Sequence, residues 1–161
     1  MARRILIFVA ILASSGCGYR SGYTARRDIR NVAIPVFGND SFYRGIEIDL
    51  TREVISSIEK KTPYRVVDSS AADAVFEGRI KESRITVLQE DAGNRPTQVQ
   101  LTLVVAVVLR RPVDGKVLFK GDIKDAESYV PPLGGMESQT WSVLARRSAA
   151  RIVDCAFDED W

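Results

Sequence analysis

The sequence contains no histidine and only two cysteines, Cys17 and Cys155, among 161 residues. Without histidine, Ser–His and Cys–His nucleophile pairs and His-bearing zinc sites cannot be built, which removes most routes to catalysis near neutral pH. Two cysteines do not make a disulfide framework. No proline-rich or low-complexity stalk, internal repeat or second domain can be discerned. The apolar run at the start, Ile5 to Ala13, is nine residues long, whereas a membrane-spanning helix needs about 20.

That short run has a different use. Arg3 and Arg4 precede it and Ser14-Ser15-Gly16 follows it, directly before Cys17, the three-part layout of an export signal. Small residues before a cysteine fit cleavage at Cys17, whose thiol then takes lipid; stable anchoring requires more than one acyl chain. Ser14 stands where such signals usually have leucine, with Leu12 two positions further back, so secretion with cleavage elsewhere and an uncleaved anchor are the competing readings. Gly18 follows the cysteine, where aspartate would oppose transfer to the outer membrane. The expected organisation is a signal peptide over 1–16, a lipidated tether over 17–28 and a single domain over 29–161. Loss of Arg3 and Arg4 from the 23 basic residues leaves 21, against 21 acidic ones. A neutral mature chain gives no bulk charge for nucleic acid.

Hydrophobic periodicity supplies the elements. Arg30 to Phe37 alternates as a first strand, with Pro35 suited to an edge or a strand end. Gly38-Asn39-Asp40-Ser41 then turns the chain and offers Asp40 or Ser41 as an N-cap. From Tyr43 to Lys61 the stripe Ile46, Leu50, Val54, Ile58 predicts an amphipathic helix that Thr62-Pro63 ends. Tyr64 to Val67 reads as a short strand. Ala74 to Val87 reads as a long one whose apolar phase shifts after Ser83, as a bulge would do. Beyond a polar loop over Gln89–Pro96, Val99, Leu101, Leu103, Val105, Val107 and Leu109 mark the clearest strand. Arg111 to Gly115 has hairpin-turn chemistry, and Lys116 to Ile123 returns. A last helix carries Trp141, Leu144, Ala145, Ser148, Ala149, Ile152 and Ala156 on one face, with Cys155 expected as a small buried hydrophobe. The fold class is α+β: two helices packed on one face of a mainly antiparallel sheet of four or five strands.

Three features, Cys17-Gly18-Tyr19, Ile29 to Phe37 leading through Asn39 to Gly45-Ile46-Glu47-Ile48-Asp49-Leu50-Thr51, and Ala72-Asp73-Ala74-Val75-Phe76-Glu77-Gly78, together resemble the lipopolysaccharide-assembly lipoprotein family, LptE-like. The resemblance covers nearly the whole mature chain. It implies a non-enzymatic outer-membrane component, seated on the periplasmic side or inside the lumen of a large β-barrel translocon whose folding it assists; no cofactor or metal is expected. It also implies contact with lipopolysaccharide. Pairing with phosphate needs Arg or Lys at a sheet edge or loop. The candidates are Arg95 first, where the family presents basic residues at a hairpin tip, then Arg79, Lys81, Arg84, Arg110, Arg111, Lys116 and Lys120. The plain alternative is solvated surface charge, since Glu77, Glu82, Glu90 and Asp91 interleave with them. The segment Pro131 to Gly135 carries no basic residue, so contacts that relatives make there do not transfer. Trp141 and Trp161 are candidate barrel contacts, Trp141 more simply core.

Other envelope lipoproteins share this opening, among them peptidoglycan-synthase activators and curli-type secretion subunits. The first need a long stalk and the second extra membrane hairpins, and neither is present. An enzyme reading would rest on Asp68 with Asp73, or Glu77 with Glu82. The former sit at turns where aspartate is ordinary, and the latter fall on opposite faces of a regular strand.

Overall fold

In the computed structural model, residues 28–131 and 137–157 are described. The elements are β1 (Asn31–Ala33), β2 (Gly38–Asn39), α1 (Ile46–Lys61), β3 (Arg65–Val66), a 3-10 turn (Ser69–Ala71), β4 (Ala74–Glu90), β5 (Pro96–Arg110), β6 (Val117–Tyr129) and α2 (Glu137–Phe157). One six-stranded sheet runs β3-β1-β4-β5-β6, with β2 also on β4. The α+β class and the two helices agree with expectation, but the sheet is mixed. β1 pairs in parallel with β3 and β4, and β2 pairs in parallel with β4, while β4-β5-β6 are antiparallel. The reason is connectivity: α1 carries the chain back between β1 and β3, and such a crossover delivers a parallel partner.

The first strand is shorter than the alternation predicts. Pro35, with no N–H to donate, stands between β1 and β2. Past it, the Phe37 amide donates to Thr51 Oγ1 (3.0 Å), whose hydroxyl donates to the Glu47 carbonyl (2.6 Å). Asp73 fixes the entry to β1 by accepting from the amides of Arg30 (2.9 Å) and Asn31 (2.8 Å). Those two bonds hold its carboxyl below the usual carboxylate range, a structural use rather than a catalytic one.

Neither Asp40 nor Ser41 caps α1. The helix begins at Ile46 with Gly45 as cap at φ 96°, a left-handed conformation that glycine adopts without a Cβ penalty. The job assigned to a cap side chain is done from within the helix, where Glu47 accepts from the Gly45 amide (2.9 Å) and Asn39 Nδ2 (2.7 Å). Burial alone would raise the Glu47 pKa; bonds from its own amide, Asn39 and Gly45 outweigh it and bring the pKa below the ordinary value. At the other end the Thr62 amide and hydroxyl both donate to the Ile58 carbonyl (2.9 and 2.7 Å) before Pro63.

The core lies between the helices and one face of the sheet. Leu50, Val54 and Ile58 of α1, Leu144, Ile152 and Val153 of α2, and Leu101 to Leu109 at alternate positions of β5 are buried. Each such side chain contributes about 1.5–3 kcal/mol by leaving water. Trp141 is buried against Tyr43, ring centroids 4.7 Å apart, which settles its role as core. Trp161 lies outside the described residues. Cys155 is free and half-buried rather than buried.

The bulge in β4 falls at Lys81, between Ile80 and Glu82, two residues earlier than the phase change suggests. It keeps Ser83, Ile85 and Val87 on the helix side opposite Leu103, Leu101 and Val99, and turns Glu82 and Arg84 to the open face. Glu77 and Glu82 therefore share that face, contrary to the expectation for a regular strand. Past Ile80, β4 has no strand on its outer side among the described residues.

Candidate functional site

Among the described residues the sheet's second face has no helix over it, and it carries most of the predicted cations. Alternation on β5 places Val104, Ala106 and Val108 in a half-buried stripe down its middle, with charged residues of β4 and β6 on both sides. Each cation of β4 found there has a carboxylate. Arg79 Nη1 lies 2.8 Å from Asp40, Lys81 Nζ 2.8 Å from Asp122, and Arg84 Nε 2.8 Å from Glu82. Arg110 of β5 grips Glu77 with two bonds, 2.7 and 3.2 Å. The hydrogen bond from Arg110, opposed by burial and aided by its charge, keeps the Glu77 carboxyl below the ordinary range. Glu77 and Glu82 are thus each committed to an arginine. They do not form an acid–base pair.

Between the β1–β2 loop and this face lies a hollow of about 520 Å³ with Val36, Ala106 and Val108 on its apolar side and Glu77 and Arg79 on its polar side. Lys120 is exposed on the same face, opposite Val108.

The remaining candidates are elsewhere. Arg95 occupies the β4–β5 turn with its side chain 77% exposed and only a 4.0 Å approach to Asp91. Asp91 is engaged with the backbone, accepting from Gly93 (2.7 Å) and Arg95 (3.0 Å) amides, so the turn is rigid and the guanidinium projects from it. Arg111 and Lys116 are at the opposite end, in the β5–β6 turn. There Arg111 pairs with Asp28 and with Asp114 (3.2 Å), and the Lys116 side chain is exposed. Fifteen residues of β5 separate the two turns, roughly 50 Å at the rise of an extended strand. The structure therefore brings Arg79, Lys81, Arg84 and Arg110 onto one face and leaves Arg95 at one pole, Arg111 and Lys116 at the other. Cys17 lies outside the described residues.

One charged cluster was not foreseen. Asp125 of β6 points to the helix side opposite Leu103, its side chain only 4% exposed. Arg147 meets it at 2.8 and 3.2 Å and Arg151 at 3.2 Å, and the Ala126 amide donates to it at 3.0 Å. Arg147 also pairs with Glu127. Burial pushes the Asp125 pKa up, but the bonds from Arg147 and Ala126 and the charges of Arg147 and Arg151 prevail and place it below the ordinary aspartate value. This is a clamp of α2 onto β6. Its signal in the sequence is an aspartate at an inward position of a strand, facing two arginines four apart on a helix.

Among the described residues no group of side chains could hold a metal ion, and no helix is long and apolar enough to cross a membrane. The profile of the lipopolysaccharide-assembly family LptE matches residues 29–154, the strand–helix opening, the long hairpin and most of α2. The chain belongs to the LptE family.

Solved structures share the LptE-type fold at low identity. PelC from Paraburkholderia phytofirmans, solved as a dodecamer, is 12% identical with a TM-score of 0.57 over 87% of this chain and 95% of its own. An uncharacterised lipoprotein B from Nitrosomonas europaea is 17% identical with a TM-score of 0.53, covering 82% of this chain and 88% of its own. Rare lipoprotein B from Shewanella oneidensis is 16% identical with a TM-score of 0.50, covering 78% and 89%. No curated protein matches the chain by sequence. The match establishes membership of a lipopolysaccharide-assembly family, and the solved structures, at 12–17% identity, share its fold.

Proposed function

We propose that this protein is an outer-membrane lipoprotein, lipidated on Cys17 after removal of residues 1–16. In this reading it serves without catalysis as plug and assembly partner of a large β-barrel that exports lipopolysaccharide, and it touches that lipid through basic side chains. Family membership over residues 29–154 carries the reading.

Two features of the structure support it. Four cations of the open face, Arg79, Lys81, Arg84 and Arg110, each sit on their own carboxylate, while Lys120 and Lys124 stand exposed there without a salt bridge among the described residues, so the face is polar and only partly neutralised. Such a face is suited to a water-filled lumen, where a field of one sign would impede a charged cargo. Conversely, it demotes those four as lipid ligands, since a phosphate would have to displace a carboxylate from each. Arg95 has the loosest pairing of the arginine candidates and stands 77% exposed on a turn held by Asp91, which makes it the preferred contact, with exposed Lys116 and Lys120 next.

The direct test is to tag the C-terminus, extract the protein from its host in mild detergent and identify what survives stringent washing. A stoichiometric large outer-membrane β-barrel is the expected result; an inner-membrane cell-wall synthase, or no companion at all, would overturn the translocon reading. For lipid contact, Arg95→Glu is expected to reduce co-purified lipopolysaccharide about tenfold or more, the scale of a charge-assisted bond worth roughly 1.5–3 kcal/mol. The thermal midpoint should stay within about 1 °C, because exposed substitutions remote from packing features change stability little. Unchanged lipid recovery would remove Arg95 from the contact.

A further inference from the structure

Phe42 is exposed over its whole surface, 102%, and Val36 over 66%. Burying a phenylalanine contributes about 1.5–3 kcal/mol, and the neighbouring Tyr43 does turn inward to pack on Trp141. The loop that holds Phe42 outward is nevertheless firmly fixed. Asn39 donates to the Tyr43 carbonyl (2.8 Å) and accepts from the Ser41 amide and hydroxyl (2.8 and 2.6 Å). The Asp40 amide donates to the Ile80 carbonyl (2.9 Å), Ser83 Oγ donates to Ser41 Oγ (2.8 Å), and Arg79 holds the Asp40 carboxylate (2.8 Å). The backbone on both sides of the ring is thus anchored to β4 and to α1 while the ring itself contacts nothing.

On an ordered loop only the two χ angles of the phenylalanine remain to be fixed on docking, the condition under which aromatic anchors contribute most to binding energy. The shape selects the kind of partner. A ring standing proud of the surface needs a concave receptor. Charge narrows it further. Arg44, two residues on, is exposed and, although its charge acts on nearby Glu47, it forms no salt bridge among the described residues, unlike Arg79, Lys81, Arg84 and Arg110. The complement of this knob is an apolar pocket with a carboxylate at its rim, in a wall rigid enough to receive a ring carried on an anchored backbone.

We infer that Phe42, flanked by Arg44, is the anchor by which this domain seats in a pocket on the inner wall of its β-barrel partner. The inference rests on the translocon reading above and names the surface and the residue that reading leaves open. It assigns the docking to the β2–α1 loop, separately from the open face and from Arg95.

The test is co-expression of the full-length chain with the large β-barrel of its own lipopolysaccharide export system, and quantification of barrel recovered per lipoprotein. Phe42→Ser is expected to reduce recovery about tenfold or more, the scale of a central aromatic anchor. Phe42→Trp should restore it. Arg44→Glu should reduce it severalfold, most strongly at low salt. Because the ring contacts nothing, Phe42→Ser should melt with the unmodified protein, so folding does not confound the result. Val113→Ser, at an 87% exposed valine in the far β5–β6 turn, is the control and should retain the barrel.

Barrel recovery within twofold of normal for Phe42→Ser would overturn the docking surface while leaving the translocon reading intact. No barrel recovered with the unmodified chain would overturn both. If the unmodified chain alone bound anionic phospholipid vesicles, or dimerised, and Phe42→Ser abolished that while keeping the barrel, the loop would be a membrane or self-association contact and the inference wrong.

Discussion

Asp125→Ala is expected to lower the stability of the domain by about 3 kcal/mol, in the range for breaking a buried ion pair by removing one partner. For a domain of this size that is a fall of roughly 10 °C in the thermal midpoint. The lost carboxylate accepts from Arg147, Arg151 and the Ala126 amide, and Arg147 would be left among β6 and α2 with only Glu127 as a charged partner. The estimate is at the low end of the range because Arg147 and Arg151 are half-exposed and water can reach them. The pH dependence has a definite sign. The folded pKa of Asp125 is depressed, so its stabilisation is complete above the unfolded value near 4 and is lost as pH falls through the folded value below it. Urea midpoints measured from pH 7 down to pH 3 should fall less steeply in Asp125→Ala than in the parent at the acid end. Parallel curves would show that the clamp does not stabilise the fold.

Gly78→Ala is expected to cost about 2–3 kcal/mol, the usual penalty for forcing extra volume into a packed core. A Cβ built on Gly78 would lie 2.3 Å from two carbons of the Phe37 ring and 2.6 Å from a third. Phe37 is 2% exposed and set edge-on to Phe76 with centroids 6.1 Å apart, so the ring has nowhere to withdraw. Either it leaves its place or β4 shifts against Val107 of β5. Chemical denaturation of Gly78→Ala, Phe37→Ala and the double variant separates these outcomes. If the clash is the cause, the added methyl fills part of the space vacated by the ring and the double variant loses much less than the sum of the two. Additive losses would place the cost in the β4 backbone instead.

What could be read from the sequence follows from how local each signal is. The helix stripe Ile46, Leu50, Val54, Ile58 and the alternation of β5 depend on spacing within one element, and both correspond to buried positions. The early end of β1 is also local, since Pro35 cannot donate; that Thr51 of α1 would take the Phe37 amide was not, because it depends on two elements meeting. The same holds for the charges. Arg110 and Glu77 are 33 residues apart, Lys81 and Asp122 41, and Arg147 and Asp125 22. No periodicity joins such partners. The cations looked like a candidate ligand set in one dimension and are mostly self-neutralised in three. Arg95 kept its distinction because its environment is a turn of a few residues, legible without the rest of the fold. Phe42 was missed for the converse reason: in sequence it is one apolar residue at a helix entrance, and its isolation is visible only once Tyr43 is seen to turn in.

The length of the β4–β5 arm sets a dimension for the molecule. The described chain begins at Asp28 beside Arg111, at one end of β5, and Arg95 stands at the other, roughly 50 Å away along an extended strand. Arg95 and Arg111 are therefore held on one hairpin at a fixed separation of that order, too far apart for a single lipid headgroup to meet both.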